Sequence, residues 1–480
     1  MPPLSGPADL TPPPSLPTGR LDLLVRAALL DGDEARIAWR AWRAVANLDI
    51  APWNELRMLG VIAARIADLE PDAEIRPRVV GFRRKIWTLN QVRLQAAYPA
   101  VARLREAGIP LMLIKGSARV TVDPRAAQER FAGDIDALVP HDRQPEAAAL
   151  LEAQGFTIDH VPWQRGMHAV GPISAHHAWA YRRGDTEIDL HNFAIPLNRL
   201  QGDDDRLWAA SRGVTWRNTE LRVPSSEHAL LLAMAHGLRG TDGDPLADWT
   251  VDACRILDTG KLDWEMLLAE ARDRLLQSIV HAGLTYLADV LHRPVPRCVL
   301  DSLGADRDEQ FDAELADYAS STIARTEPAV RRAFAMAMRR CTRGKPLAEP
   351  TQVANTPAAT VTTEFPPGGE AAWIVLPFDS VPSDWLVVKV SLELPSPALH
   401  GECSLRLLLP GLPVGSVPLV ATAHAGPVWR HTLLFPFHRG LLASRAIDRI
   451  GIVLVRDNRP LLWPGRRTAF VELLAARAGG

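Results

Sequence analysis

Three features are scarce in this sequence: long hydrophobic runs, cysteine and net charge. No apolar stretch reaches the ~18 residues that a membrane-spanning helix requires, and no hydrophobic segment of signal-peptide type stands near the N-terminus. The few cysteines lack the spacing of a metal site and are typical of reduced thiols; they are Cys254, Cys298, Cys341 and Cys403. We therefore expect a cytoplasmic protein without a membrane segment.

The near-absence of net charge restricts the expected partners. The chain has 54 basic and 56 acidic side chains. A surface that binds nucleic acid normally needs an excess of basic residues, so nucleic acid is not an expected partner unless basic residues cluster locally. A chain of 480 residues, of which 47% are hydrophobic, is long enough for about two to four domains with their own cores.

Changes in the period of the apolar residues divide the chain into regions. In the first helical stretch the longer predicted helices are Trp53 to Leu69 and Val79 to Leu104, with Pro71 and Pro77 as breakers between them. Near the C-terminus the period changes to two, which predicts strands. The predicted regions are a disordered Pro-rich tail (1–19), an N-terminal helical region (20–107), a mixed core (108–222), a helical domain (223–346), a linker (347–368) and a β-sandwich-like domain (369–480).

The mixed core begins with an apolar run, Ile109 to Ile114, which predicts a buried strand. A second strand is predicted from Asp134 to Val139. Because side chains alternate along a strand, Asp134 and Asp136 point to the same face, about 7 Å apart. Two adjacent carboxylates repel each other unless a divalent cation lies between them, and Mg²⁺ is the usual ion for oxygen ligands.

A third acid, Asp189, lies in a segment of alternating polar and apolar residues, Glu187 to His191. The alternation at Trp179 and Tyr181 predicts a strand that pairs with this segment through the turn Arg183-Gly184-Asp185. The hairpin brings the third acid beside the other two. Three acids on neighbouring strands next to a Gly-Ser turn indicate metal-assisted phosphoryl chemistry.

Three motifs carry a resemblance to a known family: Leu113–Gly116 (LIKG), Arg130–Asp136 (RFAGDID) and Ile188–His191 (IDLH). In this order they resemble the polymerase-beta-type nucleotidyltransferase superfamily, and more narrowly its uncharacterised bacterial nucleotidyltransferase-like family. The resemblance covers residues 20 to 345. It implies a multidomain α+β fold in which a polymerase-beta-type nucleotidyltransferase core, residues 108–222, is flanked by helices and followed by the all-β domain.

The resemblance also implies an enzyme. It would transfer a nucleoside monophosphate from an NTP to a hydroxyl of a small molecule, a peptide or a protein. Asp134 and Asp136 would hold two Mg²⁺ ions, and Asp189 would be the third ligand or the general base.

Phosphate binding is implied at the turn that follows the first strand. The backbone N–H groups of Gly116 and Ser117 would cradle phosphate, because a side chain at the glycine would block close approach of the backbone. Lys115 and Arg130 would neutralise the phosphate charge, with arginine suited to a bidentate contact.

Several other polar residues have two interpretations. His191 shares the strand face of Asp189, which places it either in the site or in ordinary packing. By resemblance, His236, Trp249 and Asp252 line the nucleotide or acceptor cleft, or Asp252 belongs to a helix-face pair held by local hydrogen bonds. The remaining histidines of the core lack the spacing of a zinc site; they are His168, His176 and His177.

The alternative to an enzyme is a catalytically degenerate nucleotide-binding protein, or a scaffold protein in a biosynthetic cluster. An RNA-modifying enzyme is a third hypothesis, and the balanced charge favours it less. The β domain is expected to bind a carbohydrate or a protein partner, or to cover or dimerise the enzyme. No motif identifies the acceptor.

Overall fold

The computed structural model describes residues 16–70, 72, 74–158, 178–195, 202–239, 246–305, 350–365, 371–395, 403–409, 412–418, 428–440, 448–456, 459–460 and 467–478. Most of the predicted tail, the three histidines His168, His176 and His177, and the part of the predicted helical domain after residue 305 lie outside the described residues.

The described helices flank a mixed sheet. They are α1 (Gly19–Leu29), α2 (Gly32–Val45), α3 (Trp53–Ile62), α4 (Ile66–Leu69), α5 (Ile75–Glu106), α6 (Lys115–Val122), α7 (Ala126–Glu129), α8 (Gln144–Ala153), α9 (Asp205–Ala210), α10 (Ser226–Gly237), α11 (Asp248–Leu257), α12 (Trp264–Asp273), α13 (Gln277–Thr285) and α14 (Arg297–Gly304). A π-helical turn, Tyr286–Val290, extends α13, and short 3₁₀ turns are formed by His141–Arg143 and Phe378–Ser380.

The strands fall into two groups along the chain. The first group is β1 (Met112–Leu113), β2 (Ile135–Leu138), β3 (Thr157–Ile158), β4 (Ala178–Arg183), β5 (Thr186–His191), β6 (Arg212–Trp216) and β7 (Thr219–Val223). The second is β8 (Pro350–Val353), β9 (Ala359–Phe365), β10 (Ala372–Val375), β11 (Trp385–Pro395), β12 (Cys403–Leu409), β13 (Leu412–Pro418), β14 (Val428–His438), β15 (Arg449–Arg456), β16 (Arg459–Pro460) and β17 (Arg467–Ala478).

The N-terminal helices differ in two places from the prediction. Trp53 to Leu69 forms α3 and α4 rather than one helix. Pro77 does not stop a helix but lies in the first turn of α5, which runs for 32 residues from Ile75 to Glu106. A proline is tolerated there because the first N–H groups of a helix have no partner within it.

Among the described residues the first strand group forms one mixed sheet of order β3-β4-β5-β2-β1-β7-β6. The predicted hairpin is confirmed, with Tyr181 opposite Ile188 across the antiparallel pair β4 and β5. The predicted strand from Ile109 to Ile114 is shorter: β1 spans Met112 and Leu113, and the flanking Leu111 and Ile114 each add one backbone hydrogen bond, to β7 and β2 respectively. The strands β2 and β5 run parallel, side by side in the middle of the sheet.

The two helical regions, predicted as separate parts of the chain, share one hydrophobic core. Leu24 of α1 and Trp39 of α2 belong to the same buried cluster as Leu231 of α10 and Leu267 of α12. The second half of α5 packs instead on the sheet, where Leu104 joins a cluster built from strand residues. Strand residues also join the helical cluster, since Met112 and Leu138 belong to it.

The second strand group forms antiparallel sheets, as the change to period two predicted. Within the described residues, β10, β15, β12, β13 and β16 form one sheet, and β14, β11, β17, β8 and β9 form another. Buried side chains from both contribute to one core, for example Val388 and Leu473 from one sheet and Leu405 and Ile452 from the other.

The predicted linker is wrong in part, because residues 350–353 and 359–365 are strands that pair with β17. The sequence Ala359 to Phe365 alternates between half-buried and exposed positions and is rich in threonine, and such a segment fits a pleated, half-buried surface. The Pro- and Thr-rich composition of the neighbouring stretch obscured this alternation.

Two further expectations concern membrane-spanning helices and the thiols. Within the part of the chain that the structure describes, no helix combines the length and apolar character needed to cross a bilayer. Cys254 and Cys298 are free thiols, of which the first is buried and the second is exposed.

A buried ion-pair network anchors α12. The guanidinium of Arg274 contacts Glu270 at 2.8 Å and Asp204 at 3.0 Å, and its side chain is 1% exposed. His228 of α10 approaches the same Glu270 carboxylate at 3.4 Å. The pKa of Glu270 is about 2, because the contacts with His228 and Arg274 outweigh the effect of burial. A buried charge that loses its partner is strongly destabilising.

Replacing Arg274 with methionine should therefore lower the free energy of unfolding by about 3 kcal/mol, since Asp204 would stay buried without its arginine and Glu270 would keep only the longer contacts with Arg206 and His228. Chemical denaturation followed by circular dichroism measures this loss. The matched control is Arg272→Met, an exposed arginine two positions earlier, which should change stability by less than about 0.5 kcal/mol. Equal effects of the two variants would show that the network does not stabilise the fold.

Candidate active site

The parallel pairing of β2 and β5 brings the predicted acids together. Asp136 lies directly opposite Asp189 in the register of the two strands, and Asp134 immediately precedes β2. Carboxylate oxygens of Asp136 and Asp189 and a ring nitrogen of His191 all lie within 4.8 Å of one another. Oxygens of Asp134, Glu187 and Asp189 form a second such group. Asp189 therefore belongs to both groups.

Glu187 was not singled out by sequence reasoning. It stands two residues before Asp189, and since side chains alternate along a strand, the two carboxylates share one face. The same period places His191 on that face. The alternation of Glu187, Asp189 and His191 in β5 was the available signal.

Two basic side chains contact the carboxylate of Asp136. Lys115 Nζ lies 2.5 Å from Asp136 Oδ1, and His191 Nε2 lies 3.2 Å from the same oxygen. Lys115 has a backbone φ of 53°, in the left-handed region that non-glycine residues rarely adopt. This backbone conformation accompanies the change from β1 to α6 and the contact of the lysine with the acids.

The side chain of Ser117 holds the start of β2. Its Oγ accepts the backbone N–H of Asp136 at 2.7 Å, and the hydroxyl lies 3.3 Å from the carbonyl oxygen of Asp134 and 3.4 Å from Asp136 Oδ2. The side chain is fully buried. The backbone N–H groups of Gly116 and Ser117 lie in the first turn of α6, where N–H groups have no partner within the helix and favour anions.

The acids are crowded enough to shift their protonation. The charge of Asp136 and burial raise the pKa of Asp134 to about 6. Burial, together with Asp134 and Asp136, raises the pKa of Asp189 to about 7. Burial disfavours the charge of Asp136 as well, but the nearby charge of Lys115 is the largest influence in the opposite direction, and the pKa of that carboxyl is lowered.

The basic neighbours respond in opposite directions. Burial disfavours the charge of Lys115, but Asp136, Asp134 and Asp189 outweigh it and raise the pKa of the lysine. Burial and the charge of Lys115 lower the pKa of His191. The single positive charge of Lys115 therefore neutralises only part of the negative charge of Asp134, Asp136 and Asp189.

The donor set fits a hard divalent cation. Carboxylate oxygens from Asp134, Asp136 and Asp189 are the ligand type that Mg²⁺ and Mn²⁺ prefer. Raised pKa values at two of these acids are the expected consequence of like charges close together, and a cation among them would remove that repulsion. These residues could hold such an ion.

Arg130 is already engaged by acids of α11. Its guanidinium contacts Asp252 at 3.1 Å and Asp248 at 3.3 Å. Asp252 also contacts Arg119 of α6 at 3.1 Å, and Asp248 also contacts Arg57 of α3 at 2.8 Å. The three arginines and two aspartates form an ionic network between α3, α6, α11 and the segment before β2.

Two contacts fix the position of Arg130, one at the start of α6 and one from α5. A Cβ atom added to Gly116 would come within 3.1 Å of the Arg130 guanidinium, so the absence of a side chain makes room for it. Asn90 of α5 holds the backbone around the arginine, because its Nδ2 donates to Ala127 and Arg130 carbonyls at 2.8 and 2.7 Å and its Oδ1 accepts the Ala132 N–H. No sequence motif pointed to Asn90, which is 40 residues away from Arg130 along the chain.

A cavity of about 430 Å³ opens beside this network. Its wall contains the residues that the resemblance placed at a cleft, His236, Trp249 and Asp252, together with Lys115 and Arg130. Much of the remaining wall is apolar, from α6, α10 and α11. Lys115 borders both the cavity and the acids, so the two parts of the candidate site are continuous.

His236 lies between them without joining the acids. Its Nε2 contacts the carbonyl oxygen of Ala194 at 2.7 Å, and its ring centre is 6.2 Å from that of His191. Burial and the charge of Lys115 lower the pKa of His236 well below its usual value. The structure therefore brings Asp134, Asp136 and Asp189 together, and it separates Asp252 and His236 from them.

Comparison with known proteins supplies the family. Residues 47–292, slightly more than half of the chain, match the family model described as uncharacterised nucleotidyltransferase. The chain belongs to this family. The matched range contains every acid of the candidate site and all the residues that line the cavity. No curated protein matches the sequence.

One solved structure was found, published as "Solution Structure of Antibiotic-Resistance Factor ANT(2'')-Ia Reveals Substrate-Regulated Conformation Dynamics". Its sequence is 14% identical, and the alignment covers 42% of this chain and 97% of that chain with a TM-score of 0.27. A TM-score of this size does not establish a shared fold.

Replacing Asp189 with asparagine should stabilise the protein when divalent cations are absent. The pKa of Asp189 in the folded state is about 7, above the unfolded value of 3.8, so stability is lost as the pH rises between these values. Asp189→Asn removes that loss, and we expect roughly 1 kcal/mol of additional unfolding free energy at pH 8, with a smaller gain at pH 5. Denaturant titration in the presence of a chelator measures both.

The control for this variant is Asp185→Asn, in the exposed turn of the same hairpin. It should show no gain that depends on pH. A variant at Asp189 that is no more stable than the natural protein at pH 8 would contradict the description of repelling acids.

Proposed function

We propose that this protein transfers a nucleoside monophosphate from an NTP to a hydroxyl group of a small molecule, a peptide or a protein. The observation that carries the proposal is the convergence of Asp134, Asp136 and Asp189 beside the first turn of α6. The family relationship supports nucleotidyl transfer in general terms. The proposed architecture is a polymerase-beta-type core at 108–222, flanking helices at 20–107 and 223–346, and a β-sandwich-like domain that begins near residue 350 rather than 369.

The residues divide the chemistry among them. Asp134, Asp136 and Asp189 would hold Mg²⁺, with Asp189 as third ligand or as acceptor of the hydroxyl proton. When bound, two such ions neutralise the triphosphate and favour ionisation of the acceptor hydroxyl. The reaction forms a bond from the hydroxyl oxygen to the α-phosphorus and breaks the bond to the bridging oxygen, which releases pyrophosphate and a proton.

Positive charge around the phosphates comes from the chain itself. The N–H groups of Gly116 and Ser117 would donate to phosphate oxygens at the N-terminus of α6. Lys115 would exchange its contact with Asp136 for one with phosphate, since it borders both the acids and the cavity. Arg130 would contribute charge from within its network with Asp248 and Asp252, either directly or by fixing Gly116.

One observation favours the alternative of a degenerate, nucleotide-binding or scaffold protein. The Lys115–Asp136 ion pair places a cation on an acid that an active site would use for a metal ion. In a degenerate site this pair would persist when Mg²⁺ and NTP are present. In an enzyme it would break.

The β region has a separate proposed role as a binding surface for a carbohydrate or a protein partner. Phe470 of β17 is 54% exposed, between Thr362 of β9 and Ser391 of β11 in the strand register. An exposed aromatic ring on the outer face of a sheet supports such a surface.

Transfer of label from α-³²P NTPs to a panel of hydroxyl acceptors in the presence of Mg²⁺ or Mn²⁺ tests the proposal. Asp136→Asn and Asp189→Asn should each reduce transfer by about 10²-fold or more, because each removes a carboxylate that would hold a catalytic Mg²⁺ ion. The matched controls are the exposed aspartates Asp142→Asn and Asp185→Asn, which should keep nearly full activity. Transfer by the Asp136 and Asp189 variants at the level of these controls would rule out the proposed roles of the acids.

A further inference from the structure

The ring of His191 faces an oxygen atom at each nitrogen. Nδ1 lies 3.2 Å from the carbonyl oxygen of Phe193, and Nε2 lies 3.2 Å from Asp136 Oδ1. The side chain is fully buried. Both neighbours are hydrogen-bond acceptors, so the distribution of protons on the ring decides what this arrangement means.

A carbonyl oxygen can only accept a hydrogen bond, so the contact with Phe193 requires a proton on Nδ1. In a neutral imidazole the other nitrogen, Nε2, then carries a lone pair. That lone pair points towards the region of Asp136 and Asp189, where carboxylate oxygens also present lone pairs. With this tautomer the nitrogen and the Asp136 oxygen, 3.2 Å apart, face the same point as two ligands of one cation do.

We propose that His191 Nε2 is a direct nitrogen ligand of a divalent metal ion that it shares with Asp136 and Asp189. This inference rests on the proposed function and adds a ligand to the three acids. In such a centre the carbonyl of Phe193 fixes the ring tautomer and orientation, as backbone carbonyls commonly do for metal-bound histidines.

The distances agree with a common ion. Ligands at 2.0–2.2 Å from a metal in octahedral geometry are separated by about 3 Å when they are adjacent. The observed separation of Nε2 and Asp136 Oδ1 is 3.2 Å, and an Asp189 oxygen lies within 4.8 Å of both. Small side-chain adjustments would complete the coordination.

The nature of the ligands sets the preferred metal. Mg²⁺ favours oxygen ligands, whereas Mn²⁺ and later transition metals also accept imidazole. A centre of two carboxylates and one imidazole should therefore bind Mn²⁺ more tightly than Mg²⁺. Lys115, which contacts the same oxygen of Asp136, would have to leave it when the ion binds.

Pulsed electron paramagnetic resonance of the 480-residue chain with one equivalent of Mn²⁺ tests the proposal, because electron spin echo modulation detects a directly coordinated imidazole nitrogen. We expect ¹⁴N modulation in the natural protein, replaced by a ¹⁵N pattern after labelling with ¹⁵N-histidine. His191→Gln should abolish it and weaken Mn²⁺ binding by about tenfold or more, since even the loss of an outer-shell partner commonly costs 10–100-fold.

The matched control is His236→Gln, which removes the neighbouring imidazole, 6.2 Å away, whose Nε2 contacts Ala194. This variant should keep the nitrogen signal. Circular dichroism and thermal unfolding of each variant establish that it is folded, and the ¹⁵N labelling of the natural protein gives the answer without any substitution.

Bound Mn²⁺ without nitrogen modulation would overturn the proposal and leave a centre of acids alone. Failure of Mn²⁺ to bind at all would overturn it too. The proposed function is judged separately, from transfer of labelled nucleotide with Mg²⁺, so a centre made only of oxygen ligands can fail this test and still support catalysis.

Discussion

The parallel pairing of β2 with β5 is the constraint on which the rest of the site depends. In this register Asp136 stands directly opposite Asp189, and Asp134 and Glu187 lie beside them on the same face. The fold compensates the repulsion among these carboxylates only in part, since Lys115 contacts Asp136 and Arg182 contacts Glu187. Ser117 holds the backbone of Asp136 in place, and His191 Nε2 lies 3.2 Å from its carboxylate. A fold selected for stability alone would not place these acids together, which is why they point to a bound cation and to function.

A second electrostatic centre complements the first. Arg57, Arg119 and Arg130 outnumber the two aspartates of α11 that they contact, so this network carries positive charge beside the acids. The cavity of about 430 Å³ lies next to it and has a largely apolar wall. Lys115 belongs to both centres. A ligand with negative charge and an apolar portion, such as a nucleotide, is compatible with this division, and α11 couples the cavity wall to the core through the same ion pairs.

The sequence could predict features that are local or periodic. Alternation in the segment that ends at His191 gave the hairpin and the position of Asp189, and the order of the motifs gave the family. Contacts between distant residues left no such pattern: Asn90 clamps the backbone of Arg130 from α5, and Arg57 reaches Asp248 from α3. The shared core of the N-terminal and later helices was also missed, because each amphipathic helix shows a buried face but not what covers it.

Crystallographic anomalous scattering from Mn²⁺ tests the central claim most directly. Crystals of the 480-residue chain should be soaked with Mn²⁺ and a non-hydrolysable NTP analogue. The ion is then located from peaks in the anomalous difference map. A peak among the carboxylates of Asp134, Asp136 and Asp189, with Lys115 Nζ moved away from Asp136, is the predicted result. A peak elsewhere, or no peak, would contradict the account if the Lys115–Asp136 contact of 2.5 Å stays intact in the presence of the nucleotide.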